Sequence, residues 1–437
     1  MNSTLIRAAR MPDGTRGDIA IVDGLFADPA DAVSPSTVID ADGLLALPGL
    51  VDMHTHLREP GREDAETVLT GSRAAAAGGY TAVHAMANTS PVADTAGVVE
   101  QVHRLGRAAG FTQVVPVGAV TVGLEGSTLA ELGAMADSGA RVRMFSDDGH
   151  CVWDPLVMRR ALEYVKAFDG IIAQHAQEPR LTEGAQMNEG AVSAQLGLPG
   201  WPAVAEESII ARDVLLAEHV GSRLHVCHVS TAGSVELIRW AKARGIRVTA
   251  EVTPHHLILT DEEVRSYDPV FKVNPPLRTE EDVHALRAAL ADGTIDVVGT
   301  DHAPHPAEHK CVEWTAAAMG MVGMETALPV VAHAMADLDF SASDLARVMS
   351  ARPAQIAGLT HHGSLQIGTG ANLVLVEQDA AHTVDPDLHA TMGRNSPFRG
   401  RTLGTRIVDT FLFGQRVYAA GALGAPLAFT EAGPWND

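Results

Sequence analysis

The chain has 437 residues, of which 46% are hydrophobic and 20% are charged, the composition of a soluble globular protein. Its 32 basic and 54 acidic side chains give a formal net charge of -22. Nucleic acids and anionic membrane surfaces bind basic proteins, so this charge argues against both as partners. A single core stops growing near ~250 to 300 residues, so the length predicts two structural units.

The first residues, MNSTLIRAARMPDGTRG, lack the apolar core of a signal peptide, and no window of the sequence is apolar enough to span a membrane. The three cysteines, Cys151, Cys227 and Cys311, are too few for a disulfide framework and fit a reducing compartment. We therefore expect a cytoplasmic protein. Because Cys227 directly precedes His228 on a predicted strand, we expect Cys227 to face the other way and pack against helices.

From residue 47 onwards, short apolar segments alternate with helix-like segments such as EDAETVLTGSRAAAAGG, which has acidic residues where a first turn belongs. The predicted strands are 44–54, 80–86, 113–120, 141–147, 171–176, 223–229, 246–252 and 296–301. Eight βα units predict an α/β fold, a closed (β/α)8 barrel with its active site at the C-terminal strand ends. A doubly wound open sheet is the alternative, and the absence of a G-x-G-x-x-G turn after the first strand argues against it.

Both ends of the chain differ from this repeat. Short β segments separated by turn residues occupy residues 1–46, as in DIAIVDGLFAD, and return in residues 358–437, as in GSLQIGTGANLVLVEQ. Neither end is long enough to bury a core of its own. We therefore predict that residues 1–46 and 358–437 together form a small β-sandwich domain beside a barrel of residues 47–357.

Histidines and aspartates follow the predicted strands at the end where a barrel builds its site. These residues are His54, His56, Asp147, Asp148, His175, His228 and Asp301. Each alone has an ordinary explanation as a turn, cap or core residue. Together, the four imidazoles and two carboxylates, Asp301 and one of the 147/148 pair, suit two Zn²⁺-like ions bridged by one carboxylate. Two such ions ~3.5 to 4 Å apart share a hydroxide and polarise a carbonyl oxygen, which predicts hydrolysis or its reverse.

Five segments, GLVDMHTHLREPG, MANTSPVAD, FSDDG, KVNPPLR and GTDHAPH, resemble in order and spacing the class I dihydroorotases of the cyclic amidohydrolase group. The resemblance runs from about residue 47 to residue 355. It implies a zinc-dependent, reversible cyclisation of N-carbamoyl-L-aspartate to L-dihydroorotate plus water, in de novo pyrimidine biosynthesis. Related hydantoinases and allantoinases usually bridge their metals with a carbamylated lysine on strand four, and RVRMFSDDG contains no lysine.

The resemblance also implies the metal ligands. One ion is expected on His54, His56 and Asp301, the other on His175 and His228. An aspartate of the 147/148 pair is expected to bridge the ions, and the spacing to His175 favours Asp148. Asp301 is the expected general base and acid: it accepts the hydroxide proton and delivers it to the leaving nitrogen.

The substrate contacts implied by the resemblance are of two kinds. Those to the substrate carboxylate are Arg58, Asn88 and His305. Those to the ring are Asn274 and the backbone of Met319 and Gly320. The alternative for Arg58 is a salt bridge to Glu59 or Glu63, and Asn88 and Asn274 also fit turns.

Family members often have an acidic residue where this chain has Gln177, which should alter hydrogen bonds around the ligands. Residues 305–320 are predicted to form a loop that closes over substrate, in which His309 and Cys311 are not ligands. The resemblance leaves open a homodimer and an association with aspartate transcarbamoylase.

Two other functions compete with this reading. One is a hydantoinase-like or allantoinase-like enzyme acting on another cyclic ureide; Arg58 and the missing lysine argue against it. The other is a non-catalytic scaffold that organises a pathway partner such as aspartate transcarbamoylase. A scaffold would be free to lose its ligands, and here all six positions are filled.

Overall fold

A computed structural model describes residues 3–32, 34–430, 433 and 435. Its barrel strands, β1 to β8, are Leu50–Thr55, Tyr80–Ala85, Gln113–Pro116, Met144–Phe145, Ile171–Gln174, Arg223–Val226, Val248–Val252 and Val297–Val298. They pair in parallel as β1-β2-β3 and β4-β5-β6-β7-β8. Parallel bridges from Gly118 to Phe145 and from Thr55 to His302 join the two runs. The prediction of a closed (β/α)8 barrel is confirmed.

A helix follows each barrel strand. Helices α1 to α8 are Val68–Ala77, Ala96–Ala109, Leu132–Asp137, Pro155–Val165, Val204–Val220, Ala232–Ala243, Glu280–Asp292 and Ala327–Ala334. Their apolar faces share one large buried cluster with the strands. The prediction of acidic residues in the first turn of α1 is wrong, because Thr67 caps this helix and the acidic residues precede it.

Shorter helical segments lie before, between and after these elements. The additional α-helices are Ala191–Leu196, Ala307–Lys310, Ala342–Ala346 and Arg352–Ala357, with a π-helical turn at Arg347–Ala351. The 3₁₀ turns are Pro29–Asp31, Val122–Leu124, Lys166–Phe168, His255–Leu257, Asp261–Ser266, Pro269–Phe271, Trp314–Ala316 and Pro386–Leu388. Among the described residues, none of the helices has the length and apolar character needed to cross a membrane.

The two ends of the chain share one nine-stranded sheet outside the barrel. Its N-terminal strands are Ser3–Arg10, Arg16–Val22, Leu25–Ala27, Thr37–Asp40 and Leu45–Pro48. Its C-terminal strands are Leu373–Glu377, Arg406–Leu412, Gln415–Ala419 and Ala422–Leu423. Leu47 pairs with Val374 in antiparallel register, and Ile6 and Phe411 share a buried apolar cluster. The ends therefore combine as predicted, while the domain limits at residues 46 and 358 remain predictions.

Gly49 divides what the sequence predicted as one strand over residues 44–54. Leu45–Pro48 belongs to the outer sheet, and Leu50–Thr55 begins the barrel. A Cβ atom on Gly49 would lie 2.4 Å from the side chain of Thr81, so the strands approach closely only with glycine here. Two short strand pairs complete the structure, Met187–Asn188 with Gly200–Trp201 and His382–Thr383 with Thr402–Leu403.

Candidate metal centre

The six predicted metal ligands meet at the C-terminal end of the barrel. His54 lies on β1, and the others follow the ends of β1, β4, β5, β6 and β8; these are His56, Asp148, His175, His228 and Asp301. Each of the six is at most 5% exposed. Strand ends that are distant in sequence thus bring four imidazoles and two carboxylates into one buried cluster.

Asp148 lies at the centre of this cluster. Its carboxylate oxygens lie 3.2 to 3.3 Å from a ring nitrogen of each of the four histidines His54, His56, His175 and His228. Asp301 is closer to one side, with Oδ1 3.0 Å from Nε2 of His56 and 3.6 Å from Nε2 of His54. The arrangement is that expected of one carboxylate shared by two groups of ligands.

Asp147 points away from the histidines. Its carboxylate accepts hydrogen bonds from the backbone N–H groups of Val120 at 2.8 Å and Thr121 at 2.9 Å, and from the Thr121 hydroxyl. Burial raises the pKa of Asp147 to about 6. The sequence left the choice between Asp147 and Asp148 open, and the structure brings Asp148 to the histidines while Asp147 holds the preceding loop.

Three of the histidines are fixed by a hydrogen bond from the ring nitrogen that faces away from Asp148. His54 Nδ1–H donates to Glu251 at 2.5 Å, His56 Nδ1–H to Asn88 Oδ1 at 2.9 Å, and His175 Nε2–H to Gln177 Oε1 at 2.7 Å. With a metal ion bound, these bonds would select the neutral tautomer whose lone pair points toward Asp148; without an ion, a proton on that nitrogen can interact with Asp148 instead. A metal-binding imidazole needs that arrangement, with its second nitrogen held by an acceptor.

The charges of the cluster also fit metal ions. Burial alone raises the pKa of Asp148, but the charge of His54 and hydrogen bonds from His175 and His228 lower it well below its usual range. Burial also raises the pKa of Asp301, but other interactions, chiefly a hydrogen bond with His56, outweigh burial and lower this pKa to about 2. Nε2 of His54 is buried without a hydrogen-bond partner among the described residues. Nitrogen and carboxylate donors of this kind suit Zn²⁺, which competes with protons for the imidazole nitrogens.

Arg58 lies beside the cluster with its guanidinium buried. It is 6% exposed, Nε donates to the carbonyl of Pro304 at 3.2 Å, and Nη2 is 3.5 Å from Nε2 of His305. Burial and the charge of Arg62 lower the pKa of Arg58 to about 10, so it remains a cation at neutral pH. The sequence left open a salt bridge from Arg58 to Glu59 or Glu63. In the structure these two carboxylates accept hydrogen bonds from the backbone N–H groups of Val68 and Gly61 instead.

The predicted carboxylate and ring contacts His305, Met319 and Gly320 touch one another. His305 Nε2–H donates to the carbonyl of Met319 at 2.8 Å. Burial, followed by the charge of Arg58, lowers the pKa of His305 to about 3 and keeps it neutral. A Cβ atom on Gly320, whose φ is 139°, would lie 2.8 Å from Nε2 of His305. Glycine therefore lets this loop rest on the imidazole.

Gln177 connects a predicted metal ligand to a predicted substrate contact. Its Oε1 accepts from His175, as above, and also from Nδ2 of Asn274 at 3.1 Å. Oδ1 of Asn274 is buried without a hydrogen-bond partner among the described residues. Since a buried amide oxygen without a donor costs free energy, this atom is available to a donor on a ligand.

Residues 305–320, predicted as a mobile loop, are held by two buried lysines. Lys310 Nζ donates to the carbonyls of Lys272 at 3.1 Å and Ala318 at 2.8 Å, and Lys272 Nζ donates to that of Trp314 at 2.6 Å. Burial lowers the pKa of Lys310 to about 7. These two lysines tie the loop down, and its movement over substrate remains a prediction.

Residues 43–234 match a family model described as Dihydro-orotase-like. The chain is 66% identical over 423 residues to a dihydroorotase of Leifsonia xyli, spanning 96% of this chain and 97% of the relative. It is 64% identical over 430 residues to one of Streptomyces coelicolor, spanning 97% and 100%. The chain belongs to the dihydroorotase family.

Solved structures similar to this dihydroorotase family member include hydantoinases. An L-hydantoinase from Arthrobacter aurescens superposes with a TM-score of 0.85 at 26% identity, covering 98% of both chains. A D-hydantoinase superposes with a TM-score of 0.82 at 22% identity, covering 97% of this chain and 96% of that one. At this low identity the similarity concerns only the fold. The barrel with an added β-sandwich is therefore shared with cyclic amidohydrolases beyond the dihydroorotases.

Within this dihydroorotase fold, the prediction that Cys227 packs against helices is wrong. Cys227 shares a buried cluster with Met144 and Ala173, and its Sγ lies within 4.8 Å of possible ligand atoms of His54 and Glu251. Strand β6 ends at Val226, and the next residue but one, His228, has a φ of 29°. The alternation of an extended strand therefore does not hold at residues 227 and 228, and Cys227 lies beneath the centre.

Sequence reasoning missed three polar residues around the centre. Asp52 accepts from the N–H groups of His54 and Thr300, both at 3.0 Å, which ties β1 to the residues after β8. Glu251 accepts from His54. Asn395, from the C-terminal part of the chain, donates through Nδ2 to the carbonyls of Ala303 and Gly320. Asp52 and Glu251 carried a signal, a carboxylate inside an apolar strand segment, whereas nothing near Asn395 indicated its position.

Proposed function

We propose that the chain is a zinc-dependent dihydroorotase that interconverts N-carbamoyl-L-aspartate with L-dihydroorotate and water in pyrimidine biosynthesis. The observation that supports this most is the carboxylate of Asp148, which lies 3.2 to 3.3 Å from ring nitrogens of four buried histidines. Membership of the dihydroorotase family supplies the substrate. A cytoplasmic location, a homodimer and association with aspartate transcarbamoylase remain predictions from the sequence.

The residues that would hold the ions form two groups around Asp148. His54, His56 and Asp301 form one group, and His175 with His228 forms the other. Two divalent ions bound there would lower the pKa of a water molecule and polarise the carbonyl oxygen of the substrate. The two chemical demands of amide hydrolysis, a strong nucleophile and an activated carbonyl, would be met at one place.

Arg58 is the proposed partner of the substrate carboxylate. Its guanidinium is a buried cation beside the cluster, and a planar fork of N–H groups matches a carboxylate better than any other side chain. His305 and Asn88 border the same space through their contacts with Arg58 and His56. The ring would then lie against Asn274 and the backbone of Met319 and Gly320.

Asp301 is the proposed general base and acid. In the hydrolytic direction, the water oxygen forms a bond to the ring carbonyl carbon and Asp301 accepts a water proton. The ring C–N bond then breaks as Asp301 gives that proton to the departing nitrogen. In the reverse direction the same carboxylate takes a proton from the ureido nitrogen. The low pKa of Asp301 keeps its carboxylate ionised, which is the form that a general base needs.

Metal removal tests the reaction class. We expect protein supplied with zinc to hydrolyse L-dihydroorotate, seen as loss of its far-ultraviolet absorbance. A chelator should abolish this turnover and added Zn²⁺ should restore it, because all the proposed chemistry needs the ions. Hydantoin and allantoin serve as comparison substrates. Turnover of either in preference to dihydroorotate, or none at all from folded and zinc-loaded protein, would contradict the proposal.

Replacing Arg58 by methionine tests the carboxylate contact. We expect the KM for dihydroorotate to rise about 10- to 100-fold, since a hydrogen bond to a charged group contributes roughly 1.5–3 kcal/mol. Zinc content should stay unchanged because Arg58 touches none of the histidines in the cluster. Arg104→Met, on the exposed face of α2, is the control and should leave KM unaltered. An unchanged KM in Arg58→Met would remove Arg58 from substrate binding.

A further inference from the structure

Glu251, on strand β7, is a buried carboxylate with three donors that all come from histidines. It is 0% exposed. Oε1 accepts from Nδ1–H of His54 at 2.5 Å and from the backbone N–H of His228 at 3.1 Å. Oε2 lies 3.1 Å from Nε2 of His225. A single carboxylate therefore contacts one residue from each of the two ligand groups.

We propose that Glu251 is a positioning residue that orients the ring of His54 and fixes the backbone of His228, so that both ligand groups take their metal-binding geometry. The inference rests on the proposed metal site and adds a residue to it. Glu251 itself touches neither Asp148 nor Asp301 among the contacts within hydrogen-bonding distance. Its effect on the reaction would pass through the two histidines.

The bond to His54 explains why a carboxylate is needed. A carboxylate that accepts from one imidazole nitrogen fixes the tautomer and raises the basicity of the other nitrogen. In His54 that other nitrogen is Nε2, which is buried, has no hydrogen-bond partner in the part of the chain that the structure describes, and lies 3.3 Å from Asp148. Glu251 thus fixes the tautomer of His54 and raises the basicity of Nε2, the ring nitrogen that faces the centre.

The hydrogen bond from His228 to Glu251 holds the backbone of His228 in place. His228 has a φ of 29°, a conformation that residues other than glycine rarely adopt and that the surrounding structure must hold. Its N–H is held by Oε1 of Glu251. Because the turn at residue 228 directs its ring toward Asp148, the same oxygen that orients His54 also stabilises this turn.

The surroundings leave Glu251 a single orientation. His225, which lies 3.1 Å from Oε2, is itself held through Nδ1 by Thr249 Oγ1 at 2.8 Å. Gly299, just beyond β8, provides the space on the other side. A Cβ atom at that position would lie 2.6 Å from Oε2 of Glu251. Only glycine at position 299 therefore leaves room for the carboxylate of Glu251.

The test compares Glu251→Gln with Glu206→Gln. Both replace a buried glutamate by its neutral isostere, but Glu206 accepts from Ser230 N–H at 3.0 Å and Ser234 Oγ–H at 2.6 Å, and within the described part of the chain it contacts no histidine. In Glu251→Gln we expect Zn²⁺ affinity, measured by competition with a chromophoric chelator, to fall roughly 10- to 100-fold. The visible spectrum of the Co²⁺-loaded variant should change as well. Glu206→Gln should keep the affinity and spectrum of the unaltered chain.

Gly299→Ala provides a second variant in case Glu251→Gln does not fold. It leaves the carboxylate in place but displaces it, so Zn²⁺ affinity and the Co²⁺ spectrum should change in the same direction. Unaltered affinity and spectrum in either folded variant would overturn the role of Glu251 while leaving the proposed function standing. An unaltered chain that binds no divalent ion would overturn both.

Discussion

Replacing Asp301 by asparagine is expected to lower kcat for dihydroorotate by about 10³-fold or more, within the range that general acid and base catalysis contributes. Asparagine keeps the size and one oxygen of Asp301 but cannot accept and return a proton. The Kd for dihydroorotate should change little, since Arg58 and the ring contacts are untouched. Zinc content should be retained, because the four histidines and Asp148 remain and the amide oxygen of the new side chain can still bind the ion that Asp301 is proposed to hold.

The matched control is Asp296→Asn. Asp296 precedes the same strand at the opposite end of the barrel, where it forms ion pairs with Lys242 at 2.6 Å and Arg352 at 2.8 Å. This variant should lose stability and keep its kcat. Steady-state kinetics, equilibrium dialysis with dihydroorotate and zinc analysis on both variants separate the steps. A kcat near that of the unaltered chain in Asp301→Asn would remove Asp301 from proton transfer.

Replacing Asp148 by asparagine should remove the ions themselves. Its carboxylate faces all four histidines, so losing its charge weakens both ligand groups at once. We expect zinc content to fall below one ion per chain and turnover to become undetectable. Metal analysis after dialysis, with circular dichroism to verify folding, checks this outcome.

The variant Asp147→Asn is the control for Asp148→Asn. Asp147→Asn changes the adjacent residue in the same way, but its bonds are to Val120 and Thr121. This variant should bind zinc normally and lose about 1–3 kcal/mol of unfolding free energy, because backbone donors in the buried loop lose a charged acceptor. If Asp147→Asn released the zinc and Asp148→Asn kept it, the assignment of the bridging residue would be reversed.

Strand starts followed from the sequence more accurately than strand ends. Segments predicted to begin at residues 80, 113, 171 and 223 begin there in the structure, but each ends earlier than predicted. Apolar residues continue past the last strand hydrogen bond because the site itself is buried. Local composition therefore cannot separate the last strand residue from the first site residue, as at His228 and Asp301, which both have positive φ.

The sequence by itself determined the order of the elements and the residues that gather at one end of the barrel. Strand and helix periodicity is local, and parallel strands separated by helices must end on the same side. Those two facts suffice to bring His54, His175, His228 and Asp301 together.

Only the tertiary structure decided which way each of the remaining groups faces. The choice of Asp148 over Asp147, the inward position of Cys227 and the contacts of Glu251 depend on turns at strand ends, where the alternation of side chains breaks down. Glu251 and His54 are also 197 residues apart, and their bond exists only because closing the barrel brings β7 and β1 within reach of each other.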